Sequence, residues 1–326
     1  MRWGVNYPWR RYGGDFGAGV WSPGPGIRAE AGAIAADFAA IRAAGLSIVR
    51  WFLFTDARGG IEIDEAGWPA GFTPGALDDL DALLSLALDA GVSLVPVLFD
   101  HTLAFPAREA SGARVGGHAA WLADPEGQAR LNDAVIAPLA ARYGRHGCRR
   151  DLVPAVYAWD LLNEPDWIVR ELHPAPQMKA PIPFDLVAGW VREAAGAIRQ
   201  RDAGRVTVGN ARLRFARWWD APELALDFLQ AHAYYDPDHD HDLAVTPYAA
   251  LGVSRPLVLG ECAARGDAAD PARGRRALPL GALTAAALAL GYAGAWAWSW
   301  TGVDAQGAPA LADLADARAA GAAGQD

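Results

Sequence analysis

The chain has 326 residues, of which 52% are hydrophobic and 21% are charged, and 14 of them are tryptophans. This composition excludes disordered and fibrous proteins, and the length suits either one large closed α/β barrel or two ordinary domains. The formal net charge is −9 at pH 7 and no stretch is rich in Lys and Arg, so nucleic acid is not an expected partner.

Short β-rich runs alternate with longer Ala- and Leu-rich stretches of helical period, a pattern typical of βα units around a parallel sheet. Eight such units predict a single (β/α)8 TIM barrel over residues 1–313. The Ala/Gly-rich tail over residues 314–326 is expected to be frayed. The predicted strands are Trp3–Asn6, Ser47–Phe52, Ser93–Phe99, Ala155–Leu161, Arg205–Val208, Phe228–Ala233, Pro256–Leu259 and Gly294–Trp298.

Helices are predicted between these strands, and several of them precede a glycine that would close them. The closing glycines are Gly45, Gly91 and Gly144. The predicted helices are Ala33–Ala44, Leu77–Ala90, Gln128–Tyr143, Phe184–Arg201 and Leu278–Leu290.

Three loops are expected on the active face, because the βα loops build that face of a barrel. Residues 13–26 are rich in Gly and Pro and follow the first strand, and residues 173–183 are rich in Pro and follow the fourth. After the sixth strand, residues 236–242 alternate Asp with Pro and His. That run lacks the glycine and the final Glu of a calcium loop and has no zinc spacing. We therefore expect it to shape a substrate cleft, and we predict no metal.

Two observations bear on compartment and membrane. Cys148 and Cys262 are too few for a disulfide framework and fit a reducing compartment, although a single bridge stays open. The longest apolar run, over residues 282–300, is broken by two glycines and a serine, so no membrane partner is predicted. No apolar signal segment precedes Trp3, which predicts a cytoplasmic protein, or a secreted one if a leader has been removed.

The carboxyl ends of the predicted strands carry polar and aromatic side chains, and a barrel collects its catalytic groups at these ends whatever the reaction. Among them, Glu164 and Glu261 end strands 4 and 7, which we expect to face each other across the barrel. Cleavage of an acetal requires one protonated carboxyl for the leaving oxygen and one ionised carboxylate for the developing cationic carbon. The pair therefore predicts glycosidic bond cleavage, with two pKa values separated by their environments.

The order of these residues resembles the clan A glycoside hydrolases, and most closely glycoside hydrolase family 5, the cellulase and β-mannanase family. In that pattern an Arg lies on strand 2, a His follows strand 3 and an Asn-Glu pair ends strand 4. A His-x-Tyr follows strand 6, a Glu ends strand 7 and a Trp ends strand 8. The resemblance covers residues 3–300. The matching residues are Arg50, His101, Asn163-Glu164, His232-Ala233-Tyr234, Glu261 and Trp298.

The resemblance implies a retaining double displacement that needs no cofactor. In it Glu164 is the general acid/base and Glu261 is the nucleophile. Arg50 and Tyr234 would orient Glu261 and keep it ionised, and His232 would support Glu164. The implied substrate is a carbohydrate with β-linked mannose or glucose units, and the sugar, the choice between endo and exo action and the oligomeric state stay open.

The resemblance also implies contacts to the sugar. Asn163 would bond the sugar 2-hydroxyl, and His101 would contact the same sugar. Trp298 would form the platform under it, with Trp300 as the rival, because a ring face covers the apolar side of a pyranose. The candidates for stacking with a leaving-group sugar are Trp167, Trp218 and Trp219.

Other function classes predict different residues. A transglycosylase of the same fold would use the same catalytic residues and stays open. A non-catalytic carbohydrate-binding barrel would lose one carboxylate, whereas both are present here. A metal-dependent barrel hydrolase would have a His-x-His at the end of strand 1, where Asn6 and Tyr7 stand instead.

Overall fold

The computed structural model describes residues 3–19, 25–110, 112–234, 246–263 and 280–302. Within them eight parallel strands close into a barrel, in the order β1-β8-β7-β6-β5-β4-β3-β2 around the ring. The predicted single (β/α)8 barrel is therefore confirmed. The strands are β1 Gly4–Asn6, β2 Ile48–Phe52, β3 Ser93–Asp100, β4 Trp159–Asn163, β5 Val206–Asn210, β6 Leu229–Ala233, β7 Leu257–Ala263 and β8 Gly294–Trp298.

Helices and short helical turns connect the strands. The α-helices are α1 Ala31–Ala43, α2 Ala76–Ala90, α3 Ala120–Ala123, α4 Pro125–Leu131, α5 Ala137–Tyr143, α6 Phe184–Gln200 and α7 Leu280–Ala289. The 3₁₀ turns are Ile27–Ala29, His101–Leu103, Arg150–Ala155, Pro165–Trp167, Leu213–Trp218, Pro222–Leu224 and Tyr248–Leu251.

Several predicted elements have different bounds in the structure, and two of these differences have a local cause. The fourth strand starts at Trp159, because the predicted start at Ala155 belongs to a 3₁₀ turn with Pro154 inside it. The helix predicted over Gln128–Tyr143 is split between α4 and α5 by a π-helical turn, Asn132–Ile136. That turn is followed by a proline in the first turn of α5, which has no N–H for an α-helical bond.

The closing glycines behave in two ways. Gly45 and Gly91 have positive φ, 86° and 70°, as a left-handed helix end requires. Gly144 is extended, with φ −73° and ψ 173°, so it follows α5 without closing it in that way. The tail over 314–326 and the Asp-rich run over 236–242 lie outside the described residues.

Two antiparallel hairpins were not predicted. Ile61–Ile63 pairs with Pro69–Phe72 after β2, and Arg108–Ala110 pairs with Ala113–Val115 after β3. Their strands of three or four residues are too short for an alternating pattern to stand out. No helix in the described part of the chain is long and apolar enough to cross a membrane.

The barrel interior is layered, because alternate residues of each strand point inward. Ile48 belongs to a lower apolar cluster and Phe52, four residues further along β2, to an upper one with Trp298. Arg50 lies between them and is fully buried. A separate, larger apolar core fills the space between barrel and helices. The polar layer around Arg50 therefore lies just beneath the carboxyl ends of the strands.

Candidate active site

A cavity of about 370 Å³ opens at the carboxyl ends of the barrel strands. It combines aromatic rings with carboxyl, amide and hydroxyl groups, and it includes both predicted catalytic residues. Its lining residues are Trp9, Tyr12, Phe52, Thr55, Asp100, Asn163, Glu164, Tyr234, Glu261 and Trp298.

The pairing register of several strands shifts near the residues whose polar side chains form the site. The β4–β5 pairing shifts between Asp160 and Asn163, and the β6–β7 pairing shifts between Ala231 and His232. A third shift, between β7 and β8, lies where Glu261 stands. Such bulges change the direction of a side chain relative to the regular alternation. Asp160 and Asn163, three positions apart, can therefore both reach the barrel interior.

Glu164 and Glu261 approach each other in this cavity. Their strands, β4 and β7, lie three positions apart around the ring rather than directly opposite. One carboxyl oxygen of Glu164, one of Glu261 and a ring nitrogen of His232 all lie within 4.8 Å of one another. Glu164 itself has a left-handed backbone, with φ 50° and ψ 50°. Such a conformation in a non-glycine residue stores strain and is concentrated at functional sites.

Arg50 connects the residues around the pair. Its Nη1 donates to Glu261 Oε1 at 2.6 Å and to Asn6 Oδ1 at 3.1 Å. Its Nη2 donates to Asn163 Oδ1 at 2.6 Å, and its Nε donates to Asp160 Oδ2 at 3.0 Å. The fully buried guanidinium is thus balanced by two carboxylates, as a buried charge requires.

Asp160 fixes the Nε side of Arg50. The carboxylate is fully buried and also accepts from Gln230 Nε2 at 2.9 Å and from the Gly209 amide at 3.2 Å. A Cβ atom on Gly209 would lie 3.0 Å from Arg50 Nη2 and 3.3 Å from His232 Nε2. Strand β5 therefore needs a glycine here, because the guanidinium and the imidazole fill the adjacent space.

Both oxygens of Glu261 accept hydrogen bonds. Arg50 donates to Oε1, and the Tyr234 hydroxyl donates to Oε2 at 2.9 Å. Burial raises the pKa of Glu261, and the charges of His232 and Arg50 together with the Tyr234 hydroxyl oppose part of that rise. Arg50 stays charged at any working pH, so ionised Glu261 always has a paired cation.

Glu164 has a different set of neighbours. His232 Nδ1 lies 2.7 Å from its Oε1, and Trp167 Nε1 donates to its Oε2 at 2.9 Å. Burial alone would raise the pKa of Glu164, but the hydrogen bond and charge of His232 and the charge of His101 outweigh it. The pKa of Glu164 therefore lies below its usual range when His232 is protonated.

Glu164 and His232 are close enough for a hydrogen bond. At 2.7 Å between Nδ1 and Oε1, the tautomer of the ring decides which of the two atoms donates. The contact with His232 is also what lowers the Glu164 pKa most, first through the hydrogen bond and then through charge. Glu164 thus lies beside a group that can donate or accept a hydrogen bond, while Glu261 is paired with Arg50.

His101 lies behind Glu164. Its Nδ1 is 3.1 Å from Asp100 Oδ2 and 3.8 Å from Glu164 Oε2, and its ring packs edge-on against Phe105. Burial would lower the pKa of His101, but the neighbouring Asp100 carboxylate outweighs burial and raises it. His101 is not among the cavity-lining residues, and its contact with the sugar stays a prediction.

The predicted sugar contacts are placed as follows. Asn163 lines the cavity, and its amide donates to Asp100 Oδ2 at 2.8 Å. Trp298 lines the cavity too, edge-on to Phe52 at 5.9 Å between ring centroids. Trp300 does not line it and packs instead against the large core between barrel and helices.

The predicted stacking candidates for a leaving-group sugar differ from one another. Trp167 is held by its hydrogen bond to Glu164, and the guanidinium of Arg212 lies 4.1 Å from its ring centroid. Trp219 is fully buried against Phe184, so the expectation that it stacks with a sugar is wrong. Trp218 is half-buried against the same phenylalanine.

A metal would fit this cavity poorly. In the described part of the chain, Glu164, His232 and Glu261 are the one group of three side chains close enough to share an ion. Arg50 lies 2.6 Å from the Glu261 carboxylate, where its charge would repel a second cation. The oxygens of both carboxyls are already engaged by hydrogen-bond donors. The arrangement suits proton transfer and attack on a neutral substrate.

Sequence reasoning missed several cavity and support residues. Asp160 had a signal, since it is a single charge inside the otherwise apolar start of β4. Asp100 follows the same logic at the end of β3. Trp9 and Tyr12 had none, because the irregular loop after β1 has no periodicity from which a direction can be inferred.

No family model matches the chain, and no curated protein matches it in sequence. Solved structures match it in fold. A β-mannanase from the blue mussel Mytilus edulis is 18% identical with a TM-score of 0.74, covering 97% of this chain and 91% of its own. An endo-1,4-β-mannanase from Eisenia fetida is 20% identical with a TM-score of 0.75, covering 97% and 89%.

A further similar structure is a glycoside hydrolase family 5 mannosidase from Rhizomucor miehei. It is 14% identical with a TM-score of 0.59, covering 100% of this chain and 94% of its own. These likenesses agree with the resemblance seen in the sequence and establish a shared barrel over nearly the whole length.

Proposed function

We propose that the protein is a retaining β-glycoside hydrolase acting on β-linked mannose or glucose units. The observation that carries the proposal is the meeting of two carboxyl groups within 4.8 Å in a cavity that an aromatic ring, Trp298, also lines. Mannose is favoured because the similar structures bear the names of mannanases and a mannosidase.

The first step would form a covalent intermediate. A Glu261 carboxylate oxygen attacks the anomeric carbon while Glu164 gives its proton to the glycosidic oxygen. The bond to the leaving sugar breaks, and an ester between the sugar and Glu261 forms. Arg50 and Tyr234 hold the attacking carboxylate from both oxygens, which leaves little freedom in its direction.

The second step would release the sugar. Glu164, now ionised, takes a proton from a water molecule, and the water oxygen attacks the anomeric carbon. The ester bond breaks and Glu261 regains its charge beside Arg50. The proton taken from water leaves Glu164 protonated, as it was before the first step, so the cycle is complete.

The test is hydrolysis of a panel of nitrophenyl β-glycosides together with mannan and glucan oligosaccharides. We expect one sugar series to be cleaved by the unmodified protein, and we expect Glu261→Ala to abolish turnover. Glu223→Ala, an exposed carboxylate in a 3₁₀ turn away from the cavity, is the matched control and should keep full activity.

Strong residual activity in Glu261→Ala would remove the nucleophile assignment. Transfer of the glycosyl group to an added acceptor sugar, in preference to water, would identify a transglycosylase with the same residues. Absence of cleavage across the panel, in protein with an unchanged melting temperature, would contradict the proposal for these sugars.

A further inference from the structure

A second cavity, of about 470 Å³, lies between the two hairpins that follow β2 and β3. We call it the hairpin cavity. It shares no lining residue with the catalytic cavity in the described part of the chain. Its size falls in the range of small-molecule sites. The lining residues used below are Asp64, Gly67, Trp68, Arg114, His118 and Trp121.

The walls of the hairpin cavity are held in place. The indole of Trp121, which is buried at the start of α3, donates to the Gly67 carbonyl at 2.9 Å and so ties the first hairpin to the helix. Asp64 Oδ1 accepts from the amides of Ala66 and Trp68, both at 2.9 Å, which fixes the turn at the hairpin tip. The cavity is therefore formed before any ligand arrives.

His118 also lines this cavity. The residue is 9% exposed, and its ring lies 4.3 Å from that of Trp121 at an angle of 32°. Its ring nitrogens are not among the fully buried side-chain atoms that lack a hydrogen-bond partner, so they keep access to solvent. Burial and the charge of Arg114 lower the pKa of His118 to about 4, so at neutral pH the ring offers one donor and one acceptor. A ligand hydroxyl can therefore bond to either nitrogen.

The other lining groups also suit a polyhydroxyl compound. Trp68 contributes an aromatic surface, against which the apolar face of a sugar ring can pack. Asp64 can accept a hydrogen bond from a hydroxyl, and Arg114 can donate one. Because both signs of charge line the cavity, neither an anion nor a cation is favoured.

We propose that the hairpin cavity is a second, non-catalytic saccharide site that binds a neutral β-linked oligosaccharide over Trp68, with His118 hydrogen-bonded to a hydroxyl. The assignment rests on the lining of the hairpin cavity and does not require that the catalytic cavity turn over the same sugar. Such a site would tether a longer carbohydrate on the active face of the barrel, where both hairpins lie.

The test uses Glu261→Gln protein, so that no sugar is consumed, and isothermal titration with mannotetraose and, separately, cellotetraose. With one of them we expect two binding sites in this background. Adding His118→Phe, which keeps a ring against Trp121 and removes both nitrogens, should weaken one site at least tenfold. Adding Trp68→Ala should do the same. His146→Phe, at an exposed histidine outside the hairpin cavity, is the matched control and should retain both sites.

A crystal soaked with the bound tetrasaccharide should show sugar over Trp68. Sugar in the catalytic cavity alone, or affinities that neither His118→Phe nor Trp68→Ala alters, would overturn the inference. If His118→Phe lowers the melting temperature of the protein, Trp68→Ala alone is used to test the site. If sugar binds in the hairpin cavity but the unmodified protein hydrolyses none of the sugars, the second saccharide site is supported and the proposed function is contradicted. If the protein hydrolyses sugar but binds it at the catalytic cavity alone, the proposed function is supported and the second saccharide site is contradicted.

Discussion

Glu164 and Glu261 are the same side chain in two surroundings, and their neighbours divide the roles. Glu261 has a permanent cation, Arg50, and a phenol, Tyr234, as donors, which favours a fixed carboxylate. Glu164 has an imidazole at 2.7 Å, which can donate or accept a hydrogen bond. In the proposed reaction the carboxylate held by Arg50 attacks, and the carboxyl beside His232 carries the proton.

Tyr234→Phe should move the acidic limb of the pH profile of kcat/KM to higher pH. The proposed reaction needs ionised Glu261. The Tyr234 hydroxyl lowers the pKa of Glu261, so removing that hydroxyl raises the pKa further above its usual value. A hydrogen bond to a charged group contributes about 1.5–3 kcal/mol, which corresponds to a shift of about one to two pH units. Tyr248→Phe, whose hydroxyl bonds backbone carbonyls away from the cavity, is the control. A limb that stays in place or moves to lower pH would contradict the assignment.

Glu164→Ala should lower kcat about 10²–10⁴-fold on substrates with poor leaving groups, which need a proton to depart. Aryl glycosides with acidic phenols need none, so slow turnover should remain. Added azide should raise this turnover by occupying the vacated space and attacking the glycosyl-enzyme. The measurement is identification of a β-glycosyl azide by NMR. If azide changes neither rate nor product, Glu164 is not the acid/base.

At the scale of elements, the alternation of strands and helices was enough to predict all eight barrel strands. The predicted boundaries were wrong where a local constraint outweighs periodicity. One example is Pro154, which belongs to a 3₁₀ turn before β4. The short hairpins could not be predicted, because strands of three residues are too short to show an alternating pattern. Register shifts in β4, β6 and β7 were equally invisible, since a bulge depends on the pairing of two strands.

Asp81→Asn should destabilise the fold by about 2 kcal/mol at neutral pH, because Asp81 links α2 to the end of α5. Its carboxylate accepts from the Tyr143 hydroxyl at 2.7 Å and from Arg142 Nε at 3.0 Å, and it also contacts Arg149. Burial would raise the pKa of Asp81, but these donors outweigh it and lower the pKa.

The stabilisation from Asp81 is consequently complete above the usual aspartate pKa of about 3.9 and fades as pH falls toward the lowered value. The free energy of unfolding, measured in urea, should differ between Asp81→Asn and the unmodified protein by a large amount at pH 7. At about pH 3 the difference should be smaller. Asp89→Asn, an exposed aspartate on the same helix, should have little effect at either pH. A difference that grows on acidification would contradict this account.

At the scale of the whole molecule, the site depends on the polar layer that the barrel encloses between two apolar clusters. The sequence order around the strand ends predicted which side chains would lie together, and the structure brings Arg50, Glu164, His232, Tyr234 and Glu261 into one network. It could not predict that His101 lies behind Glu164 or that Trp219 is buried. Those outcomes depend on how loops pack after the strands end, which strand order does not determine.

The barrel geometry also predicts the stereochemical outcome. Strands β4 and β7 bring one oxygen of each carboxyl within 4.8 Å of the other, which favours the close pair of a retaining glycosidase over the roughly 6.5–9.5 Å separation that leaves room for an attacking water. Hydrolysis of a β-glycoside followed by ¹H NMR should therefore show the β-anomer first, with the α-anomer appearing only as mutarotation proceeds. Initial appearance of the α-anomer would mean that water attacks directly, and it would exclude Glu261 as a nucleophile even though its carboxylate lies beside Glu164.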